Sequence, residues 1–156
     1  MTQPDAPCLI DAMWRATDLT RAYLTEDRAQ VAGCLAALGT DRLEQVLAWL
    51  VLTHDQHFDT LGESSMGLRE IDAVAALAPP EVEFATTTAV RRVAARETGL
   101  VRAVDDLGLT DQIHAIAICT VVLLLEALGR TTALEQHNEE AASYERMGYP
   151  RPYTIT

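Results

Sequence analysis

An uncharged apolar run extends from Ala115 to Leu125, and Thr120 is the only polar side chain within it. A membrane-spanning helix needs about 20 apolar residues, so a run of this length is expected to be buried inside the protein. Periodicity alone does not separate a buried helix from a buried strand. The flanking residues favour a helix, because Thr110 and Asp111 form a cap pair before the run and Gly129 is a typical stop after it. We therefore predict a central core helix over residues 111–128.

Helical signals recur through the rest of the chain. Thr25 is a candidate N-cap, and Asp41 with Glu44 and Thr132 with Glu135 have the spacing of capping boxes. Together with apolar periodicity, glycine stops and prolines, these signals predict further helices at about 7–24, 26–38, 41–61, 68–77, 80–97, 100–107 and 132–147. The prolines of the C-terminal segment 148–156 predict an extended tail, and we favour its packing on its own domain over a partner-binding arm.

Composition supports the same fold class. Hydrophobic residues make up 49% of the 156-residue chain, which is enough for one domain with a substantial core. Aromatic residues are few, so that core must consist mostly of small and aliphatic side chains, of which Ala and Leu favour closely packed helices. The prediction is an all-α, single-domain bundle of six to eight helices in which helices 41–61 and 111–128 contact each other directly.

Two parts of the chain share an outline that suggests an internal duplication. In each, a helix is followed by Leu-Gly, Thr-Asp and a long apolar helix that ends in a second Leu-Gly. The half-repeats would cover residues 7–62 and 80–129, joined by 63–79 and followed by the C-terminal helix and tail. Few identities lie outside the turns, so recurrence of common caps and stops remains the alternative explanation.

Charge and cysteine usage limit the compartment and the partners. The formal net charge of −11 disfavours nucleic acid, whose binding depends on basic patches, and also anionic membranes. Cys8, Cys34 and Cys119 are odd in number, far apart and set in apolar sequence, which is typical of reduced thiols rather than of disulfides. The first residues lack a basic stretch leading into an apolar run, so no secretory signal is predicted. We expect an acidic cytoplasmic protein, and its Ala- and Arg-rich usage is typical of bacteria with high GC content.

Two histidines are the strongest candidates for metal binding. His54 and His57 lie three residues apart on the predicted helix 41–61, continuing its apolar seam, and imidazole is a common metal ligand. Glu126, near the end of the central helix, is the candidate third ligand. The alternative is that the histidines mark where their helix reaches solvent and that Glu126 pairs with Arg130. We favour the alternative and expect no cofactor.

The apolar surface of the two long helices suggests the function. Five residues lie on faces that one small bundle would leave partly uncovered: Trp49, Val51, Leu52, Val122 and Leu123. The leading hypothesis is a non-enzymatic protein that acts by protein–protein association, as a homodimer or as an adaptor for a protein partner. The alternative is a helical-bundle enzyme or sensor that binds a metal or a small apolar ligand between the long helices, near His54 and His57.

Overall fold

The computed structural model describes residues 6–62 and 67–154, which form eight α-helices and no strand. The predicted all-α bundle of six to eight helices is thereby confirmed. Residues 1–5, 63–66 and 155–156 lie outside the described residues. They include part of the predicted connection 63–79 and the two ends of the chain. The helices are α1 (Ala6–Leu24), α2 (Arg28–Gly33), α3 (Thr40–Leu61), α4 (Leu68–Ala75), α5 (Pro80–Ala94), α6 (Leu100–Val104), α7 (Leu109–Leu128) and α8 (Arg130–Arg146).

The helix α7 is the centre of the bundle. It packs against α1, α3, α4, α5, α6 and α8, and its contact with α3 is the most extensive between any two helices, as the sequence predicts. Every residue from Ile113 to Leu124 is buried. The buried side chains form one cluster to which all eight helices contribute. An apolar run without a polar face requires this coverage on all sides.

The length argument against a membrane-spanning segment is wrong for the complete helix. The helix α7 has 20 residues and a mean hydropathy of 1.7 in its most apolar window, so by length and composition it is able to cross a membrane. Burial gives the better argument, because 67% of that window is covered inside the protein. A core helix has this property.

Several predicted helix starts are wrong by one or two residues. The N-caps of α3, α7 and α8 are Gly39, Gly108 and Gly129, none of which offers a side chain for capping. The N-cap of α2 is Asp27, whose Oδ1 accepts a hydrogen bond from the amide of Gln30 at 3.1 Å. The helix α2 is also shorter than predicted, because the chain turns after Gly33 and passes through Ala37 in a left-handed conformation.

The two predicted half-repeats have the same order of elements. Each contains a long helix, a short helix and a second long helix: α1, α2 and α3 in one, α5, α6 and α7 in the other. The first long helix ends in each half at a left-handed residue, Glu26 (φ 58°) or Arg96 (φ 60°), and the second ends at a glycine, Gly62 (φ 79°) or Gly129 (φ 78°). The turns that end corresponding helices therefore have similar backbone conformations in the two halves. The common origin of the halves remains a prediction.

Candidate functional site

A groove of about 450 Å³ opens between α3, α6 and α7. Its apolar walls are formed by Leu47 and Val51 of α3, Leu100 and Val104 of α6, and Ile116 of α7. The five-residue helix α6, whose N-cap is Gly99, forms one wall of the groove. The result is an apolar depression on the surface of an otherwise covered core.

One face of α3 lines the groove and continues beyond it. Leu47, Val51, His54 and Phe58 follow one another at steps of four, three and four, so they form a single stripe. The ring of His54 stacks on that of Phe58, with 6.1 Å between the ring centroids. Phe58 is 42% exposed and Val101, across the groove on α6, is 76% exposed. We call the surface formed by these five residues, four on α3 and Val101 on α6, the α3–α6 face.

The polar groups of the groove lie mainly at its rim. Asp55, Arg102 and Asp105 are exposed, and Nδ1 of His54 lies 3.3 Å from Oδ1 of Asp55. Gln112 is already engaged, since its Nε2 donates a hydrogen bond to the carbonyl oxygen of Val104 at 2.9 Å. The rim therefore offers the carboxylates of Asp55 and Asp105 and the guanidinium of Arg102 around an apolar floor.

The predicted interface residues have separate locations. Val51 lines the groove, and Leu52 is 50% exposed on a neighbouring face of α3. Trp49 is half-buried on the other side of α3, where it faces α1 and α8. Val122 and Leu123 are buried, at 0% and 3% exposure, because other helices of the same chain surround α7. The prediction of an uncovered face is therefore wrong for these last two residues.

The structure does not bring the three predicted metal ligands together into one group. Among residues 6–62 and 67–154, no group of three or more His, Cys, Asp or Glu side chains is placed to hold a metal ion. Glu126 is exposed at the end of α7, where its Oε1 accepts a hydrogen bond from the amide of Gly67 at 3.2 Å. It therefore joins α7 to the start of α4. The pairing with Arg130 is also wrong, since that guanidinium bonds to Glu26 and to the carbonyl of Leu24.

His57 faces a polar cluster that the sequence did not indicate. Burial lowers the pKa of His57, while the nearby Glu140 of α8 opposes that shift. Glu140 accepts a hydrogen bond from the hydroxyl of Tyr144 at 2.6 Å, and Nε2 of His137 lies 2.8 Å from the carbonyl oxygen of Thr17. A cavity of about 10 Å³ between these groups is about the size of one water molecule. This cluster binds α8 to α1 and α3.

A hydrogen-bonded pair of one tyrosine and one histidine is fully enclosed in the core. The hydroxyl of Tyr23 lies 2.7 Å from Nδ1 of His114, and the two side chains are 0% and 2% exposed. Either group is the donor, depending on the imidazole tautomer. Burial lowers the pKa of His114 from 6.5 to about 4, which keeps the imidazole neutral. The pair links the end of α1 to the start of α7 and has no opening to the groove.

The C-terminal tail is docked on α1, as predicted. Nε and Nη2 of Arg151 donate hydrogen bonds of 3.0 and 2.8 Å to the two carboxylate oxygens of Asp18, which is 2% exposed. The hydroxyl of Tyr153 donates to the same carboxylate. The hydrogen bonds to Asp18 raise the pKa of Arg151. Burial is the main cause that raises the pKa of Tyr153, and the hydrogen bond to Asp18 adds to the effect. The tail is therefore held by charge-assisted contacts to one buried carboxylate.

Two cations and two aromatic rings complete this contact. The guanidinium of Arg151 lies 4.4 Å from the ring centroid of Trp14, and that of Arg15 lies 3.9 Å from the ring centroid of Tyr153. Nε1 of Trp14 donates a hydrogen bond of 2.8 Å to the carbonyl oxygen of Tyr149. The residues Trp14, Arg15 and Asp18, one face of α1, are hereafter called the tail site.

No family model matches the chain, and no curated protein or solved structure matches it significantly. Its function must therefore be argued from its own residues.

Proposed function

We propose that this protein acts by association in the cytoplasm, without an enzymatic activity of its own, as a homodimer or as an adaptor for one protein partner. The α3–α6 face is the surface that the second protein covers. The observation that supports the proposal is the continuity of this face: the stripe from Leu47 to Phe58 runs along α3, and Val101 projects beside it from α6. Monomeric proteins seldom leave a contiguous apolar surface open to water.

A second copy of the chain is the occupant that we favour. In a twofold dimer the same stripe meets itself, so an apolar stripe is complementary without any further matching. The rim also suits this arrangement, because Arg102 of one copy can approach Asp55 or Asp105 of the other. Each copy has a net charge of −11, so long-range repulsion opposes the contact. Added salt screens that repulsion, and the dimer should therefore become tighter as salt increases.

The disposition of the buried polar groups also supports association over catalysis. His114 is engaged with Tyr23, and His137 with the backbone of Thr17. Both pairs join helices and neither lines the groove. His54 is the one histidine that lines the groove, where it lies beside the exposed carboxylate of Asp55.

The test is the mass of the protein in solution. Light scattering at micromolar concentration should give a dimer for the parent chain and a monomer for Val101→Glu or Phe58→Glu, since each variant places a charge in the contact. Phe84→Glu is the matched control, because Phe84 is 85% exposed on α5 and does not line the groove. This control should remain a dimer. A parent chain that is monomeric in moderate salt rules out the homodimer.

A small apolar ligand in the groove is a second candidate function. Pockets for small molecules have volumes of roughly 300–1,000 Å³ and are mostly apolar with a few polar groups, and this groove fits both criteria. Native mass spectrometry of the freshly purified protein would detect a retained molecule. Val51→Trp should expel that molecule by filling the groove, whereas Phe84→Trp should retain it. A ligand on a monomeric parent chain would place this function first.

A further inference from the structure

The tail site has the properties of a peptide-recognition site. It binds two side chains of an extended segment, Arg151 and Tyr153. The carboxylate of Asp18 contacts both, the ring of Trp14 contacts Arg151, and the guanidinium of Arg15 contacts Tyr153. The segment contains Pro150 and Pro152, which limit its freedom before it binds and reduce the entropy lost on docking. Charged bidentate pairs and stacked aromatic rings are the contacts that dominate the energy of small interfaces.

The segment is joined to the bundle by a connection that can change direction. The helix α8 ends at Arg146, and Gly148 (φ 90°) follows in a conformation that glycine adopts freely. Two residues lie between Gly148 and Arg151, so Arg151 is at most about 10 Å from Gly148 along the extended chain. Since the contacts beyond Gly148 are the same whichever chain supplies them, exchange of the tail costs little besides the entropy of association.

We propose that the tail site also binds the C-terminal segment of a second copy of this chain, in place of the segment that it holds within its own copy. Arg151 of one copy pairs with Asp18 of the other, and Tyr153 stacks under the guanidinium of Arg15. This contact shares no residue with the α3–α6 face, so it does not rest on the association proposed above. Two such contacts, or one of each kind, link copies into larger assemblies.

The first experiment uses a peptide and full-length protein. A fluorescent octapeptide with the sequence of residues 149–156 is titrated into an Arg151→Ala/Tyr153→Ala variant, whose own tail is weakened while Trp14, Arg15 and Asp18 are intact. We expect saturable binding to one site, and at least tenfold weaker binding to the parent chain, because a tethered tail competes at millimolar effective concentration. A control peptide with alanine at both altered positions should not bind.

Asp18→Asn added to the same variant tests the carboxylate. Asparagine keeps the shape of the side chain but loses the charge that Arg151 requires, so peptide affinity should fall at least tenfold. Circular dichroism checks that this protein is folded. Arg151→Lys, which keeps the charge but not the fork, provides a second weakened tail. Failure of the native-sequence peptide to bind either tail variant, or equal binding of the control peptide, would overturn the proposal.

The second experiment asks whether two full-length chains exchange tails. One chain has Asp18→Asn, with an intact tail and a weakened site, and the other has Arg151→Ala/Tyr153→Ala, with an intact site and a weakened tail. Both also have Val101→Glu, so that the α3–α6 face cannot contribute. We expect a complex by light scattering in the mixture and monomers in each separate sample. Monomers in the mixture at a concentration that saturates peptide binding would refute exchange between copies.

Discussion

The enclosed His114 should make the protein sensitive to mild acid. In the unfolded chain an imidazole has an ordinary pKa near 6.5, whereas burial lowers the native pKa to about 4. Above pH 6.5 the imidazole is neutral in both states and contributes no pH dependence. Between pH 6.5 and 4 the unfolded chain takes up a proton that the native state does not. The free energy of unfolding therefore falls as the pH falls through this window.

The magnitude follows from the distance below pH 6.5. Each pH unit corresponds to about 1.4 kcal/mol, so His114 should remove about 2 kcal/mol of stability at pH 5 relative to pH 7. Burial also lowers the pKa values of His57 and His137, which adds to the effect in the same direction. Because a small domain has only about 5–15 kcal/mol of stability, a loss of this size is readily measured.

The assay is urea unfolding at pH 7 and pH 5 on the parent chain and on His114→Asn. The Oδ1 of asparagine can accept the hydrogen bond from the Tyr23 hydroxyl, so the contact is approximated without a titrating group. The parent chain should lose about 2 kcal/mol more than the variant between the two pH values. Tyr23→Phe is the control: it should lower stability at both pH values by about 1–3 kcal/mol but retain the pH dependence. Equal losses for the parent chain and His114→Asn would refute the argument.

Two further predictions concern the core and the turns. Leu124→Asp should lower the free energy of unfolding by about 4 kcal/mol or more, because Leu124 is 3% exposed and the new carboxylate would have no partner. Leu52→Asp, at a position 50% exposed, should lower it by less than about 1 kcal/mol, as measured by urea unfolding. Gly129→Ala should cost about 2 kcal/mol because φ is 78° there, while Gly33→Ala should raise the thermal midpoint, since Gly33 is helical and no atom lies within 4 Å of the added methyl group.

The central helix could be predicted because its signal is contained in one stretch of sequence. From Ala115 to Leu125 every residue but Thr120 is apolar, so the run had to be buried, and the flanking residues favoured a helix over a strand. The starts of α3, α7 and α8 were less predictable for the opposite reason. Their N-caps are glycines, which have no capping side chain that a sequence pattern can detect. The nearby Thr and Asp residues were therefore misassigned as caps, although they lie in the first turn.

The sites depend on contacts between distant segments, and these could be predicted only in part. His57 was placed on the apolar seam of α3 by its spacing, but its neighbours His137 and Glu140 come from α8, some 80 residues away. Glu126 was assigned to the same place on the basis of its position along α7, yet it bonds to Gly67. No periodicity within one helix indicates which other helix will face it.

The tail is an intermediate case. Its two prolines predicted an extended segment, and packing on its own domain was the favoured interpretation, which the docking of Arg151 and Tyr153 on α1 confirms. Its anchor, Asp18, lies on the same face of α1 as Trp14 and Arg15 and is 2% exposed. A buried carboxylate requires a cationic partner, but no spacing within α1 indicates that the tail supplies that partner as Arg151.

The proposal of association rests on how the apolar residues are divided between the two long helices. They have similar lengths, but α7 is buried along its whole middle, whereas only Val46 and Leu50 of α3 are fully buried. Among the described helices, α3 packs mainly on α7 and α1. The stripe from Leu47 to Phe58 remains open beside α6, and the association that we propose depends on this surface.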